Sequence, residues 1–163
     1  MNLRLRKADY DDMDLLFEWA NDDTVRANAF HTEKISYDNH VQWFEKVMAD
    51  ADVYLYILCE GEKPVGQIRL NVESGEAVID YSIACDQRGK GYGSEMLQMM
   101  QAQMNTEKSM HVTKIVGQVK YENRASARAF EKNGFLKKEL PEYIQYEKDI
   151  EQLHENNVKD VME

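Results

Sequence analysis

Between residues 88 and 94 the chain reads Arg88-Gly89-Lys90-Gly91-Tyr92-Gly93-Ser94, where an apolar stretch, Ala77 to Ala84, gives way to a helix-patterned one, Glu95 to Gln103. Glycines at alternate positions let the backbone turn tightly with its N–H groups converging. The helix that follows adds its own unpaired amides and the positive end of its dipole. Strand, tight loop and helix in this order form a cup suited to phosphate.

Two familiar phosphate loops do not fit. The Rossmann fingerprint needs a third glycine where Ser94 stands, and Ser109 occupies the region where it needs a ribose-binding acid. A P-loop needs four residues between its glycines and then Lys-Ser/Thr, which the chain lacks. Nicotinamide-dependent oxidoreduction and nucleotide triphosphate hydrolysis are therefore set aside.

Arg88, Gly91 and Gly93 satisfy the pattern Arg/Gln-x-x-Gly-x-Gly/Ala. Downstream, Asn123-Arg124-Ala125-Ser126-Ala127-Arg128-Ala129-Phe130-Glu131-Lys132-Asn133-Gly134-Phe135 reads as an Asn-x-x-Ala/Ser helix ending in Gly-Phe. In order and spacing the two blocks resemble the coenzyme A loop and the following helix of the GNAT acetyltransferase superfamily, and the likeness runs from about Leu3 to Lys148. It implies an α+β fold: a mostly antiparallel, twisted sheet of about seven strands, flanked by helices and opened by a V-shaped splay.

The 163 residues suit one domain, taken as 1–150 with a polar C-terminal tail over 151–163. The start, Met1 to Arg6, lacks a signal-peptide core and no apolar run reaches membrane-spanning length, so a cytoplasmic protein without membrane contact is expected. Thirty acidic against twenty basic residues give a net charge of −10, which opposes nucleic-acid binding and suits a cationic amine. Cys59 and Cys85 match no zinc or redox spacing and read as core or near-core residues. No two histidines have metal-ligand spacing, so no metal is expected.

Periodicity supplies the elements. Leu3 and Leu5 alternate with arginines as a first strand, Asp11 is a candidate cap for a helix through Met13 to Ala20, and a short helix is expected near Thr24 to Ala29. Ser36 offers a cap for Tyr37 to Met48. Strands Val53 to Cys59 and Val65 to Val72 flank the turn Glu60 to Pro64, and Ser74-Gly75 leads into Ala77 to Ala84. Met96, Met99/Met100 and Met104 share one helix face as core. A strand containing Ile115, Val116 and Val119, a helix from Ser126 to Lys132 and an antiparallel pair, Phe135 to Leu140 with Tyr143 to Lys148, close the domain. That last pair could supply a homodimer contact.

The resemblance implies acetyl-CoA as cosubstrate, its pyrophosphate held by the amides of Arg88, Gly89, Lys90, Gly91, Tyr92, Gly93 and Ser94. It implies that a bulged strand before the loop offers backbone near Ser82, Ile83 and Ala84 to the pantetheine arm, and that Asn123 and Ser126 lie against the coenzyme. An amine must lose a proton before it attacks the thioester. Asp80, on one strand face with Ser82, is the first candidate base. His40 is the second, because imidazole titrates near neutrality. Many members carry a tyrosine where this chain has Phe130, to protonate the departing thiolate, and phenylalanine cannot donate.

The acceptor is a small-molecule amine by this reading. The segments Glu18 to Arg26, His40 to Phe44 and Ile79 to Ala84 are similar to the branch that acetylates amino sugars on nucleotide carriers, as in pseudaminic-acid synthesis. Asn21, Arg26, His40 and Trp43 are the implied substrate contacts: Arg26 for a phosphate, Trp43 for a sugar or base face. Acetylation of protein N-termini, ribosomal proteins among them, is the close alternative. Polyamine or antibiotic acetylation is a third, and a non-catalytic acyl-coenzyme A sensor a fourth.

Overall fold

The computed structural model describes residues 2–107 and 110–150; the expected polar tail at 151–163 lies outside them. The apolar alternations become strands β1 (Leu3–Lys7), β2 (Val53–Glu60), β3 (Lys63–Glu73), β4 (Glu76–Ile83), β5 (Lys114–Val119), β6 (Leu136–Glu139) and β7 (Ile144–Asp149). They form one seven-stranded sheet in the order β1-β2-β3-β4-β5-β7-β6. Every neighbouring pair is antiparallel except β4 and β5, which run parallel because a helical crossover separates them. This is the mixed, helix-flanked sheet anticipated above.

Helices α1 (Met13–Ala20), α2 (Asp23–Asn28) and α3 (Tyr37–Ala49) precede β2, whereas α4 (Tyr92–Thr106) and α5 (Arg124–Lys132) flank β5 in sequence. Strand β2 is apolar in nearly continuous sequence because both its faces are covered. Leu55, Ile57 and Cys59 pack with Leu16 and Phe44 of α1 and α3, while Tyr56 and Leu58 join Met96, Leu97, Met100 and Met104 of α4. The methionine face is core, as its spacing requires.

Local signals differ from expectation in a few places. Asp9, not Asp11, caps the entry to α1: its side chain accepts from the Asp11 amide at the head of a 3-10 turn, Tyr10–Asp12. Asp11 lies inside that turn, where its backbone donates. Ser36 caps α3 as anticipated, through the Asn39 amide at 3.2 Å. Cys59 is buried, but Cys85 is exposed, because it begins a 3-10 turn on the way out of β4.

The bulge is displaced as well. Strand β4 pairs with β3 in unbroken register from Glu76 to Ile83, and the shift falls between Leu58 and Cys59 on the β2–β3 ladder. Val65 is the extra residue there, next to Pro64, which has no amide to give to a ladder.

Phe130 anchors α5 to the sheet. Its ring stacks on Tyr146 at 5.3 Å and meets Phe135 and Tyr81 edge-on at 5.0 and 5.9 Å. It can lie so close to β5 only because Gly117 has no side chain; a Cβ there would sit 2.3 Å from the ring. Gly117→Ala is therefore expected to destabilise the domain by roughly 1–3 kcal/mol through overpacking, read as a lower denaturant midpoint at constant slope.

A second anchor is electrostatic. Arg6 of β1 donates two hydrogen bonds of 2.8 Å to the buried Asp12 carboxylate, which also accepts from the Asp9 amide. Burial alone would raise the Asp12 pKa, but the bonds from Arg6 and Asp9 outweigh it and hold it below its ordinary value of 3.8. The stabilisation is then full above that value and disappears as pH falls through the lower folded-state pKa. Asp12→Asn should lower the midpoint at neutral pH, and the gap to wild type should shrink in acid; a gap that widens on acidification would contradict the assignment.

Candidate active site

The β4–β5 ladder runs only from Glu76↔Lys114 to Ile79↔Gly117. Beyond it β5 continues against β7, and β4 continues against β3, so the two strands part. From Asp80 to Ile83 the β5-facing edge of β4 therefore has no strand partner. This is the splay that the resemblance implied.

Alternation along β4 decides which groups line that edge. The Ala84 amide bonds to the Val65 carbonyl at 2.8 Å, on the β3 side. Counting back by two, Ser82 and Asp80 also direct their backbone groups toward β3, and the intervening Ile83 and Tyr81 direct theirs into the gap. Of the three residues expected to present backbone there, Ile83 does so. Ser82 and Ala84 do not, and Tyr81 takes their place.

The glycine loop lies at the end of this edge. Gly89 and Gly91 adopt φ of +80° and +81°, in the left-handed region that other residues resist, and open space surrounds both. Gly91 is the N-cap of α4 and no side chain caps that helix, so the amides of Tyr92, Gly93 and Ser94 are left for a ligand. Gly93 has a different reason to be small: a Cβ would stand 3.3 Å from the Tyr81 ring. Tyr92 is buried, with its hydroxyl bonded to Glu60. Lys90 donates to Gln87 at 3.0 Å.

Arg88 is held by Asp22 at 2.6 Å, and that same carboxylate caps α2 through the Val25 amide. Burial would raise the Asp22 pKa, but Arg88 and the amides of Val25 and Thr24 bring it below normal. On the opposite side of the gap, Lys120, just past β5, donates to the Ala27 carbonyl at 3.1 Å, and Phe30 meets Tyr143 edge-on at 5.5 Å. The α2 segment thus bridges from the loop after β4 to the loop after β5, across the open end of the gap.

Several candidate substrate contacts serve this strap. Asn21 exchanges two 2.8 Å bonds with the Ile35 backbone. Arg26 donates to the carbonyls of Ala20, His31 and Glu33. His40 is buried, with Nε2 2.8 Å from the Met13 carbonyl and its ring packed among Phe17, Trp43 and Phe44. All three thereby help to join α1, α2 and α3.

Trp43 and Asp80 remain together, through residues the motifs did not single out. Arg69 of β3 lies over the Trp43 ring at 5.2 Å and 3.9 Å from Asp80, with Nε on Asn71 at 3.1 Å. Gln67 donates to Asp80 at 3.4 Å and to Ser82 at 3.2 Å. Asp80 itself stays 58 % exposed. Gln67, Arg69 and Asn71 alternate with Ile68, Leu70 and Val72, and that polar stripe in a central strand was the available signal.

Behind the gap, Asn123 caps α5 by accepting from the Ser126 amide at 3.3 Å, and the Ser126 hydroxyl donates to Tyr81 at 2.8 Å. Among the described residues no group of His, Cys, Asp or Glu could hold a metal ion, and no helix is long and apolar enough to cross a membrane. Bare first-turn amides, two left-handed glycines and a free strand edge leading from them suit an extended cosubstrate with a pyrophosphate at one end.

Comparison with known proteins agrees with this geometry. No curated protein sequence matches the chain. Among solved structures, spermidine N-acetyltransferase from Vibrio cholerae, in complex with CoA and spermine, superposes with a TM-score of 0.81 at 17 % identity, covering 91 % of this chain and 95 % of that one. An aminoglycoside acetyltransferase in complex with coenzyme A gives 0.76 at 21 % identity, covering 90 % and 94 %. A ribosomal-protein alpha-N-acetyltransferase in complex with coenzyme A gives 0.78 at 16 %, covering 92 % and 95 %. At these identities the likeness is one of fold. Residues 2–136 match the model of the acetyltransferase (GNAT) domain, so the chain belongs to the GNAT family and is an acetyl-CoA-dependent N-acetyltransferase.

Proposed function

We propose that acetyl-CoA lies with its pyrophosphate on the amides from Arg88 to Ser94 and its pantetheine arm along the free edge of β4, and that a primary amine approaches from the Trp43–Arg69–Asp80 side. The observation that carries this is the unpaired edge running from Ile83 to Asp80 beside the uncapped start of α4. From Ala84 back to Asp80 the strand offers about 13 Å at ~3.3 Å per residue, a length suited to an extended arm. The thioester then lies near Tyr81, whose backbone N–H faces the gap and polarises the carbonyl. Asp80 accepts the ammonium proton, directly or through water, and the freed amine attacks the acyl carbon.

The acceptor we favour is an amino sugar on a nucleotide carrier. Arg69 supports it: a guanidinium beside Asp80 makes the face mixed in charge, which suits an amine near hydroxyl or phosphate oxygens and disfavours a polycation. Polyamine acetylation is the second reading, supported by the net charge of −10 and by the fold shared with a spermidine acetyltransferase. Peptide N-termini and aminoglycosides complete the panel. With thiol release as the readout, UDP-linked amino sugars should turn over at least tenfold faster than spermidine, and the reverse order would move the acceptor to the second reading.

Two variants check the site. Gly91→Val forces a β-branched residue into the left-handed region at the point where the loop meets α4. It should weaken acetyl-CoA binding tenfold or more by titration calorimetry with an unchanged circular dichroism spectrum; normal affinity would remove the pocket. Asp80→Asn should reduce turnover of the preferred acceptor at least tenfold and leave coenzyme affinity within about twofold. Equal turnover would return Asp80 to a structural role.

A further inference from the structure

Gln67 lies midway along the central strand β3 and is only 9 % exposed. Burying an amide is costly unless its hydrogens find acceptors. Both acceptors stand on β4: Nε2 donates to Ser82, directly opposite in the ladder, at 3.2 Å, and to its diagonal neighbour Asp80 at 3.4 Å. Its two amide hydrogens are thus both engaged. Because Asp80 is 58 % exposed, water can reach its carboxylate, and the bond from Gln67 adds direction rather than solvation.

Arg69 acts on the same carboxylate in a different way. It is directly opposite Asp80 in the ladder, yet its guanidinium stands 3.9 Å away, beyond hydrogen-bond length, with Nε on Asn71 and the plane over Trp43. It supplies charge without alignment, and exposure screens that charge. Among the described residues no other cation lies within 4 Å of the Asp80 carboxylate. On this face Glu76 stands at the far end of β4, and Lys114, opposite it on β5, pairs with Glu147; α3 meets the cluster through the uncharged Trp43 ring, and α4 packs behind the other face of β4.

We propose that Gln67 is a positioning residue for proton transfer, its amide fixing the Asp80 carboxylate beside Ser82 so that one oxygen is presented to the acceptor's ammonium group. This rests on the proposed function, in which Asp80 is the base. Gln67 and Arg69 both engage Oδ2, which leaves Oδ1 for the ammonium. There the N–H bond breaks, the proton passes to Oδ1, and the electron pair stays on nitrogen for attack on the acyl carbon.

The test measures kcat and KM by thiol release, with a UDP-linked amino sugar or spermidine, whichever is faster, as acceptor. Gln67→Leu should lower kcat about tenfold and leave the acceptor KM and the acetyl-CoA affinity within about threefold. In an Asp80→Asn background the same change should have no further effect, because a residue that acts through Asp80 then has no carboxylate to orient. Gln67→Glu keeps the side chain's shape and carries the test alone if the leucine variant does not fold. It sets a second carboxylate against Asp80, and since like charge disfavours ionisation, the acid limb of kcat/KM should move up by about one pH unit. An unchanged kcat in Gln67→Leu, additive losses in the double variant or an unmoved acid limb in Gln67→Glu would overturn the role of Gln67 and leave the proposed function standing. Full turnover by Asp80→Asn, or no turnover with either amine, would instead overturn the proposed function, and this role with it.

Discussion

The parting of β4 from β5 after Ile79 and Gly117 is the constraint from which the site follows. A central strand with a free edge is unfavourable in a sheet, because each backbone group left buried without a partner costs about 1–3 kcal/mol. The fold tolerates it by wedging side chains behind the gap. Phe130 presses on Gly117 from α5, and Tyr81 fills the space between Phe130 and the first turn of α4, tied to α5 through Ser126. The same rings that pack the core thus hold the two strands apart.

The gap has an electrostatic closure as well. Arg88 on the loop and Lys120 beyond β5 both reach the α2 segment, one through a carboxylate and one through a carbonyl. Since the Arg88 charge is met by Asp22, what the glycine loop offers an anion is backbone amides rather than a free guanidinium. Because Asp22 both binds Arg88 and caps α2, the glycine loop and the α2 segment share one carboxylate.

Much of this was legible in the residues. The alternating strands, the Ser36 cap, the methionine face and the glycine loop are local signals, and local signals survive folding when tertiary packing agrees with them. What the sequence did not disclose was the set of partners that the polar residues of the helical region take. Asn21 and Arg26 suit a substrate by type, yet their partners are carbonyls and amides of the irregular connection between α1 and α3, whose path no periodicity describes. His40 falls on the buried face of α3, one turn before Phe44, so its helical position was itself the warning. Arg69 was hidden for the opposite reason: it sits in a strand whose apolar residues drew attention, and its contact with Asp80 arises only when β3 and β4 pair.

Phe130 illustrates how a departure from a motif is misread without geometry. Read along the chain, it is a lost hydroxyl that weakens catalysis. In the fold, the ring at 130 rests on Gly117 and stacks on Tyr146, so a hydroxyl added to its far end would drive into β5. Position 130 in this chain is a packing position, and its apolarity lets the neighbouring Tyr81 ring lie edge-on against it with the phenol turned to Ser126.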